Sequence, residues 1–125
     1  MPAAPAHRTI LVVEDNDVSR EGLAVVLRRA GYRVVPAANG EEALALLRAG
    51  PPPDLILLDM LMPVLDGWRF LEKLHRQRPR LAVPVVLATG SNLTPEWAQD
   101  HACQGFLKKP IEADELLAEV RRCLP

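Results

Sequence analysis

The chain has 125 residues, 49% of them hydrophobic, enough for one compact core without disulfides or structural metal. Its 15 basic and 16 acidic side chains nearly cancel, so no basic field exists to hold a nucleic-acid backbone or an anionic membrane surface, and direct DNA binding is not expected. Cys103 and Cys123 lack a Cys-x-x-Cys partner and read as reduced core thiols, and neither a leader-like start nor an apolar run of about 18 residues occurs, so a cytoplasmic location is expected.

Residues 1–7 are rich in Ala and Pro and read as a flexible N-terminal arm ahead of a single domain over 8–125. Thr9 to Val13 is a β-branched, apolar run that stops at Glu14-Asp15-Asn16-Asp17, the pattern of a buried strand ending in a polar loop. Leu23, Val26, Leu27 and Ala30 follow at helical spacing, and Gly31 is placed to end that helix. Arg33 to Val35 predicts a second strand, and Asn39-Gly40-Glu41-Glu42 predicts a capping box that opens a helix with Ala43, Leu46 and Leu47 inward.

Leu55 to Leu58 is apolar on both faces, as a central parallel strand must be, and ends at Asp59. A helix over about 67–77, capped by Asp66, comes next, followed by a strand over 85–88. Thr94-Pro95 supplies an N-cap and an N1 proline for a short helix, Gly105 to Leu107 a fifth strand, and residues 112–124 the closing helix. Five strand-helix units of this kind predict a doubly wound five-stranded parallel sheet covered on both faces.

In an open parallel sheet, ligands bind beyond the carboxyl ends of the strands. The polar residues that directly follow strands are Glu14 and Asp15, Asp59, Thr89, and Lys108-Lys109. Three carboxylates about 5 Å apart repel by about 3 kcal/mol per pair at an effective dielectric near 20, so they need a cation, a proton or solvent. Oxygen-only ligands favour a hard ion such as Mg²⁺, which leaves coordination free for a phosphoryl oxygen while a nearby Lys and Thr bind the others. His7, His75 and His101 have no acidic or cysteine partner at ligand spacing and read as surface or satisfied histidines.

The Glu14-Asp15 pair, the stretch Asp59-x-x-x-Pro63-x-x-Asp66-Gly67, Thr89 and Lys109-Pro110 together resemble the receiver domains of two-component signalling, over about residues 8–124. The resemblance implies a (βα)5 flavodoxin-like fold like that of the chemotaxis regulators, with strand order 2-1-3-4-5. It implies that Asp59 is the phosphoacceptor, taking a phosphoryl group from a sensor histidine kinase or phosphotransfer protein, and that the outcome is read by a downstream protein target. It implies Mg²⁺ on Asp15 and Asp59, with Glu14 acting through water and the Leu61 backbone carbonyl as a further ligand. Lys109, the lysine that precedes a proline, would pair with the phosphoryl group, and the peptide before that proline is commonly cis in the family. Thr89 and Phe106 would be the switch pair: added charge of about −1.5 to −2 draws Thr89 inward and Phe106 rotates into the vacated space.

Partner contacts in that family lie on the first helix and after the fifth strand, which points to Ser19, Arg20, Leu23 and Ile111. Gly90 stands where the family usually has Ala, and Leu61 and Ser91 stand where side chains influence water attack on the acyl phosphate; neither is acidic or amide-bearing, so slow phosphate loss is expected. The chain's two ends favour a stand-alone regulator that catalyses only its own phosphorylation and dephosphorylation. The competing readings are a phosphate-independent docking module with the same fold and a hydrolase of small phosphoesters; the latter lacks a second carboxylate two residues beyond Asp59, where Leu61 stands.

Overall fold

The computed structural model describes residues 8–59, 67–90 and 92–124. Strands β1 (Thr9–Val13), β2 (Arg33–Ala37), β3 (Leu55–Asp59), β4 (Val85–Thr89) and β5 (Gly105–Lys108) alternate with helices α1 (Asp17–Arg29), α2 (Gly40–Ala49), α3 (Gly67–Gln77), α4 (Pro95–Asp100) and α5 (Ala113–Cys123). All strand pairs are parallel, in the order β2-β1-β3-β4-β5.

The apolar runs are continuous because successive side chains leave a strand on opposite faces and both faces are covered. Ile10, Val12, Leu55, Leu57, Val86 and Ala88 pack with Leu27 of α1 and with Leu116 and Val120 of α5. Their neighbours Leu11, Val13, Ile56, Leu58, Val85 and Leu87 pack with α2, with Phe70, Leu71 and Leu74 of α3, and with Ala98 of α4. The expected doubly wound sheet is therefore present, with two helices on one face and three on the other.

Helix starts follow the expected chemistry. Asn16 Oδ1 accepts from Ser19 N at 2.8 Å to open α1, and Thr94 Oγ1 accepts from Trp97 N at 3.1 Å to open α4. At α2, Asn39 Oδ1 accepts from Glu42 N (2.9 Å), while Glu42 Oε1 accepts from Ala38 N (3.0 Å), one residue earlier than the standard reciprocal bond. Gly31 holds φ at 99°, a left-handed conformation that suits glycine past a helix end. The expected cap of α3, Asp66, lies outside the described residues.

Two inward assignments and one strand end differ from the sequence reading. In α2 the buried set is Ala43, Leu44 and Leu47, and Leu46 is 39% exposed. The helix lies near the β2 edge, where its face toward the sheet is too narrow to include position 46. In α1 Ala24 and Leu27 are buried and Leu23 and Val26 are half-buried, while Ala30 is an exposed C-cap residue. Strand β2 runs on to Ala37 through Pro36, which an outermost strand tolerates because one of its sides carries no ladder.

Gly105 at the start of β5 is required by close packing. A Cβ there would meet Glu119 Oε2 and Val86 Cγ2 at 2.9 Å and Cys123 Sγ at 3.2 Å. Gly105→Ala is expected to destabilise the fold by about 1–3 kcal/mol through overpacking, read as a lower urea midpoint. An unchanged midpoint would show that α5 yields freely.

Candidate functional site

Parallel pairing carries the carboxyl ends of β1, β3, β4 and β5 to one edge of the sheet. The registers Val13↔Leu58, Asp59↔Ala88 and Thr89↔Lys108 bring the residues that end or follow these strands together. Glu14 and Asp15 leave β1, Asp59 ends β3, Thr89 ends β4, and Lys109 leaves β5. One ligand oxygen from each of Glu14, Asp15 and Asp59 lies within 4.8 Å of the others.

The three carboxylates differ in environment. Glu14 and Asp59 are 2% and 5% exposed, whereas Asp15 faces solvent. Lys109 reaches across from β5: its Nζ lies 2.5 Å from Glu14 Oε1 and 3.5 Å from Asp59 Oδ2. Three carboxylates and one ammonium leave an excess of negative charge in a partly desolvated pocket. A divalent cation offsets such an excess, and an all-oxygen donor set suits a hard one.

Burial opposes the charge on Glu14, but the hydrogen bond from Lys109, the Asn16 backbone N–H and the Lys109 charge outweigh it and hold the carboxyl below its usual range. Burial also opposes the charge on Lys109, and again the carboxylates win, Glu14 by its hydrogen bond and Asp59 by its charge, so the ammonium is held above the usual lysine range. Both groups are therefore charged at neutral pH. The Lys109-Pro110 peptide is cis.

The loop after β1 is fixed by groups the sequence reading did not assign to the site. Glu14 Oε2 accepts from Asn16 N (3.1 Å), and Arg20 Nη1 donates to the Glu14 backbone carbonyl (2.9 Å) while its Nη2 pairs with Asp17. Arg20, expected to face a partner, is thus turned onto the loop that carries two of the acids. The capping role of Asn16 was legible from its place before a helix; the reach of Arg20 was not. Ser19, Leu23 and Ile111 do come together, lining a groove between α1 and the start of α5 that also borders Glu14 and Lys109.

Thr89 is fully buried, and its carbonyl accepts from Lys109 N at 2.9 Å, which extends the β4–β5 ladder into the site. Phe106 is half-buried and packs against the core shared with α2, α3 and α4. At Gly90 a Cβ would meet only Lys109 Cβ, at 3.8 Å, so space does not force the glycine. Leu61 and Ser91 lie outside the described residues.

Away from the site, Cys103 is buried and Cys123 half-buried, both free, and burial pushes the Cys103 thiol up to about 11. His101 is satisfied, as expected: its ring stacks on Trp97 with centroids 3.7 Å apart, meets Trp68 edge-on at 4.9 Å, and its Nδ1 lies 2.7 Å from the Trp97 carbonyl oxygen. Trp97 and His101 stand four residues apart, but the contact with Trp68 had no local signal, because α3 and α4 meet only in the tertiary fold. No described helix is long and apolar enough to cross a membrane.

Comparison with known proteins agrees with this fold. The chain is 36% identical over 119 residues to the response regulator Rre1 of Synechocystis sp., covering 93% of this chain and 51% of that protein. It is 29% identical to protein PilH of Pseudomonas aeruginosa, covering 92% of this chain and 96% of PilH. The chain thus spans about half the length of Rre1, and likewise 51% of the transcriptional regulatory protein AfsQ1 of Streptomyces coelicolor. Among solved structures, the chemotaxis protein CheY4 of Vibrio cholerae superposes with a TM-score of 0.84 at 30% identity, covering 94% of this chain and 99% of that one. Residues 10–121 match the model of the response regulator receiver domain, and the chain belongs to that family.

Proposed function

We propose that this receiver domain is a phosphoacceptor switch in which Asp59 takes a phosphoryl group from a phosphohistidine on a sensor histidine kinase or phosphotransfer protein. The observation that carries the reading is a buried carboxylate at a strand end, grouped with two further acids and 3.5 Å from an ammonium. A carboxylate oxygen of Asp59 forms the new P–O bond as the P–N bond to the donor imidazole breaks, and the imidazole leaves with the bonding pair and takes a proton. The chain's chemistry ends there and at hydrolysis of its own acyl phosphate, so it turns over no separate substrate.

Lys109, 3.5 Å from Asp59, would pair with a phosphoryl oxygen, exchanging part of its contact with Asp59 for one with the incoming group. Thr89, at the end of the next strand, is the hydroxyl that the added charge draws in, with Phe106 following. Asp15 and Asp59 would hold Mg²⁺, with Glu14 through water and the Leu61 carbonyl as a further ligand; bound there, the ion neutralises charge on the transferring oxygens. The message then passes to a downstream protein through the altered surface, in the cytoplasm and without direct contact to nucleic acid or membrane.

The test is intact-mass analysis after incubation with acetyl phosphate, with Mg²⁺ or with EDTA. A single phosphoryl adduct that needs the metal and maps to Asp59 is the expected result. No adduct from any small donor or phosphohistidine protein, in a folded chain that binds the ion, would leave the phosphate-independent docking module as the function.

Metal binding has its own readout. Mg²⁺ at about 100 times its dissociation constant is expected to add about 2.7 kcal/mol of stability and to raise Tm. Asp15→Asn is expected to remove most of this gain while leaving the metal-free protein folded, because Asp15 is exposed and its charge adds to the repulsion in the cluster. An equal Mg²⁺ shift in wild type and variant, measured by thermal unfolding, would place the ion elsewhere.

A further inference from the structure

Among the described residues, strand β5 is the outermost strand of the sheet, with β4 on one side and no strand on the other. In a parallel ladder every second residue directs its N–H to the same neighbour. Lys109 N bonds to Thr89 O of β4, so the Phe106 N–H points to the outer side. An outermost strand with such groups open is a template for another chain.

Two side chains of α5 occupy this edge. Glu119 Oε2 accepts from Phe106 N at 2.8 Å, and Arg122 Nη2 donates to the Gln104 carbonyl at 2.8 Å. The two are locked to each other as well, with Arg122 Nε on Glu119 Oε1 and Nη2 on Glu119 Oε2, both at 2.9 Å. The Glu119 carboxyl is held below its usual range, first by the Arg122 hydrogen bond, and so remains an acceptor. Gly105 makes the approach feasible, since a Cβ there would collide with Glu119 Oε2. Three residues from two elements thus serve one end: a donor of the β5 backbone and an acceptor just before the strand are satisfied by side chains.

We infer that Glu119 and Arg122 form a backbone clamp that closes the outer edge of β5 to strand addition by a second copy of this chain. A partner meeting this face finds side chains of α4, β5 and α5, and the Phe106 strand is available for pairing only when the clamp opens.

The clamp is tested by amide hydrogen exchange and sedimentation velocity on the whole chain, comparing wild type with Glu119→Ala, Glu119→Gln and Arg122→Ala. In dilute Glu119→Ala the Phe106 amide is expected to exchange about tenfold faster, the loss of one charge-assisted bond, while the Lys109 amide is unchanged. With rising concentration this variant is expected to gain a larger species absent from wild type, in which the Phe106 amide is protected again. Glu119→Gln retains one acceptor oxygen for the Phe106 N–H but loses the charge and one acceptor toward Arg122, and is expected to fall between wild type and Glu119→Ala. Arg122→Ala leaves Glu119 unsupported and is expected to shift in the same direction by less, which keeps the test open if Glu119→Ala does not fold. Unchanged Phe106 exchange in both alanine variants, or faster exchange with no new species, would overturn the proposal.

Discussion

Asp59→Asn is expected to remain folded and to take up no phosphoryl group, with the adduct falling below detection under conditions that fully modify the wild type. The amide matches the carboxylate in shape, so the strand end and its packing persist. It cannot act as the anionic nucleophile, and the other buried carboxylate of the cluster, Glu14, is already held by Lys109 and the Asn16 backbone N–H. The substitution removes one ion-pair contact to Lys109 and one like charge beside Glu14, effects of opposite sign. The urea midpoint is therefore expected to correspond to a change within about 1 kcal/mol of wild type. A persistent Mg²⁺-dependent adduct of the same stoichiometry would transfer the acceptor role to another side chain.

Lys109→Met is expected to have the largest effect on stability. It keeps the aliphatic stem and removes the ammonium that faces two buried carboxylates, so both lose that cation. Breaking a buried ion pair costs about 3–5 kcal/mol; with Lys109 itself 28% exposed, about 2–3 kcal/mol is expected at neutral pH in EDTA. Phosphoryl uptake should fall as well, since the cation facing the transferred oxygens is gone.

The pH dependence distinguishes this cause from simple loss of packing. In wild type the Glu14 carboxyl is lowered from 4.5, so its contribution is present above that value and lost as pH falls through the lower folded-state value. Lys109 is raised from 10.5, so its contribution is present below that value and lost as pH rises through the higher folded-state value. In Lys109→Met the two buried carboxylates, without the ammonium, are expected to bind protons more readily folded than in wild type, and stability should rise relative to wild type as the solution is made mildly acidic. Urea unfolding of both proteins in EDTA across that range decides the matter; parallel pH profiles would assign the loss to packing alone. Mg²⁺ should restore part of the deficit in the variant, because it offsets the same excess charge.

Much of this was legible along the chain. Continuous apolar strands separated by amphipathic segments implied a parallel sheet covered on both faces, because only there can consecutive side chains all be buried. The site was legible for the same reason: Glu14, Asp15, Asp59, Thr89 and Lys109 each follow an apolar run directly, and parallel strands put all such ends on one edge. The inward face of α2 was misjudged at Leu46 because periodicity fixes a stripe but not its centre or width, which depend on how much sheet lies beneath.

The sequence by itself determined the strand and helix succession, the caps of α2 and α4 at Asn39 and Thr94, and the acids and lysine at the strand ends, since propensity, turn chemistry and alternation act over a few residues. Tertiary structure alone decided what depends on distance between remote segments. It put Lys109 against Glu14 and Asp59, turned Arg20 onto the acid loop, brought Trp68 edge-on to the ring of His101, and laid Glu119 and Arg122 along the edge of β5. Long charged side chains have many rotamers and the local sequence does not choose among them. The choice is made when the sheet brings a buried partner within reach, where leaving either group unpaired costs more than ordering both.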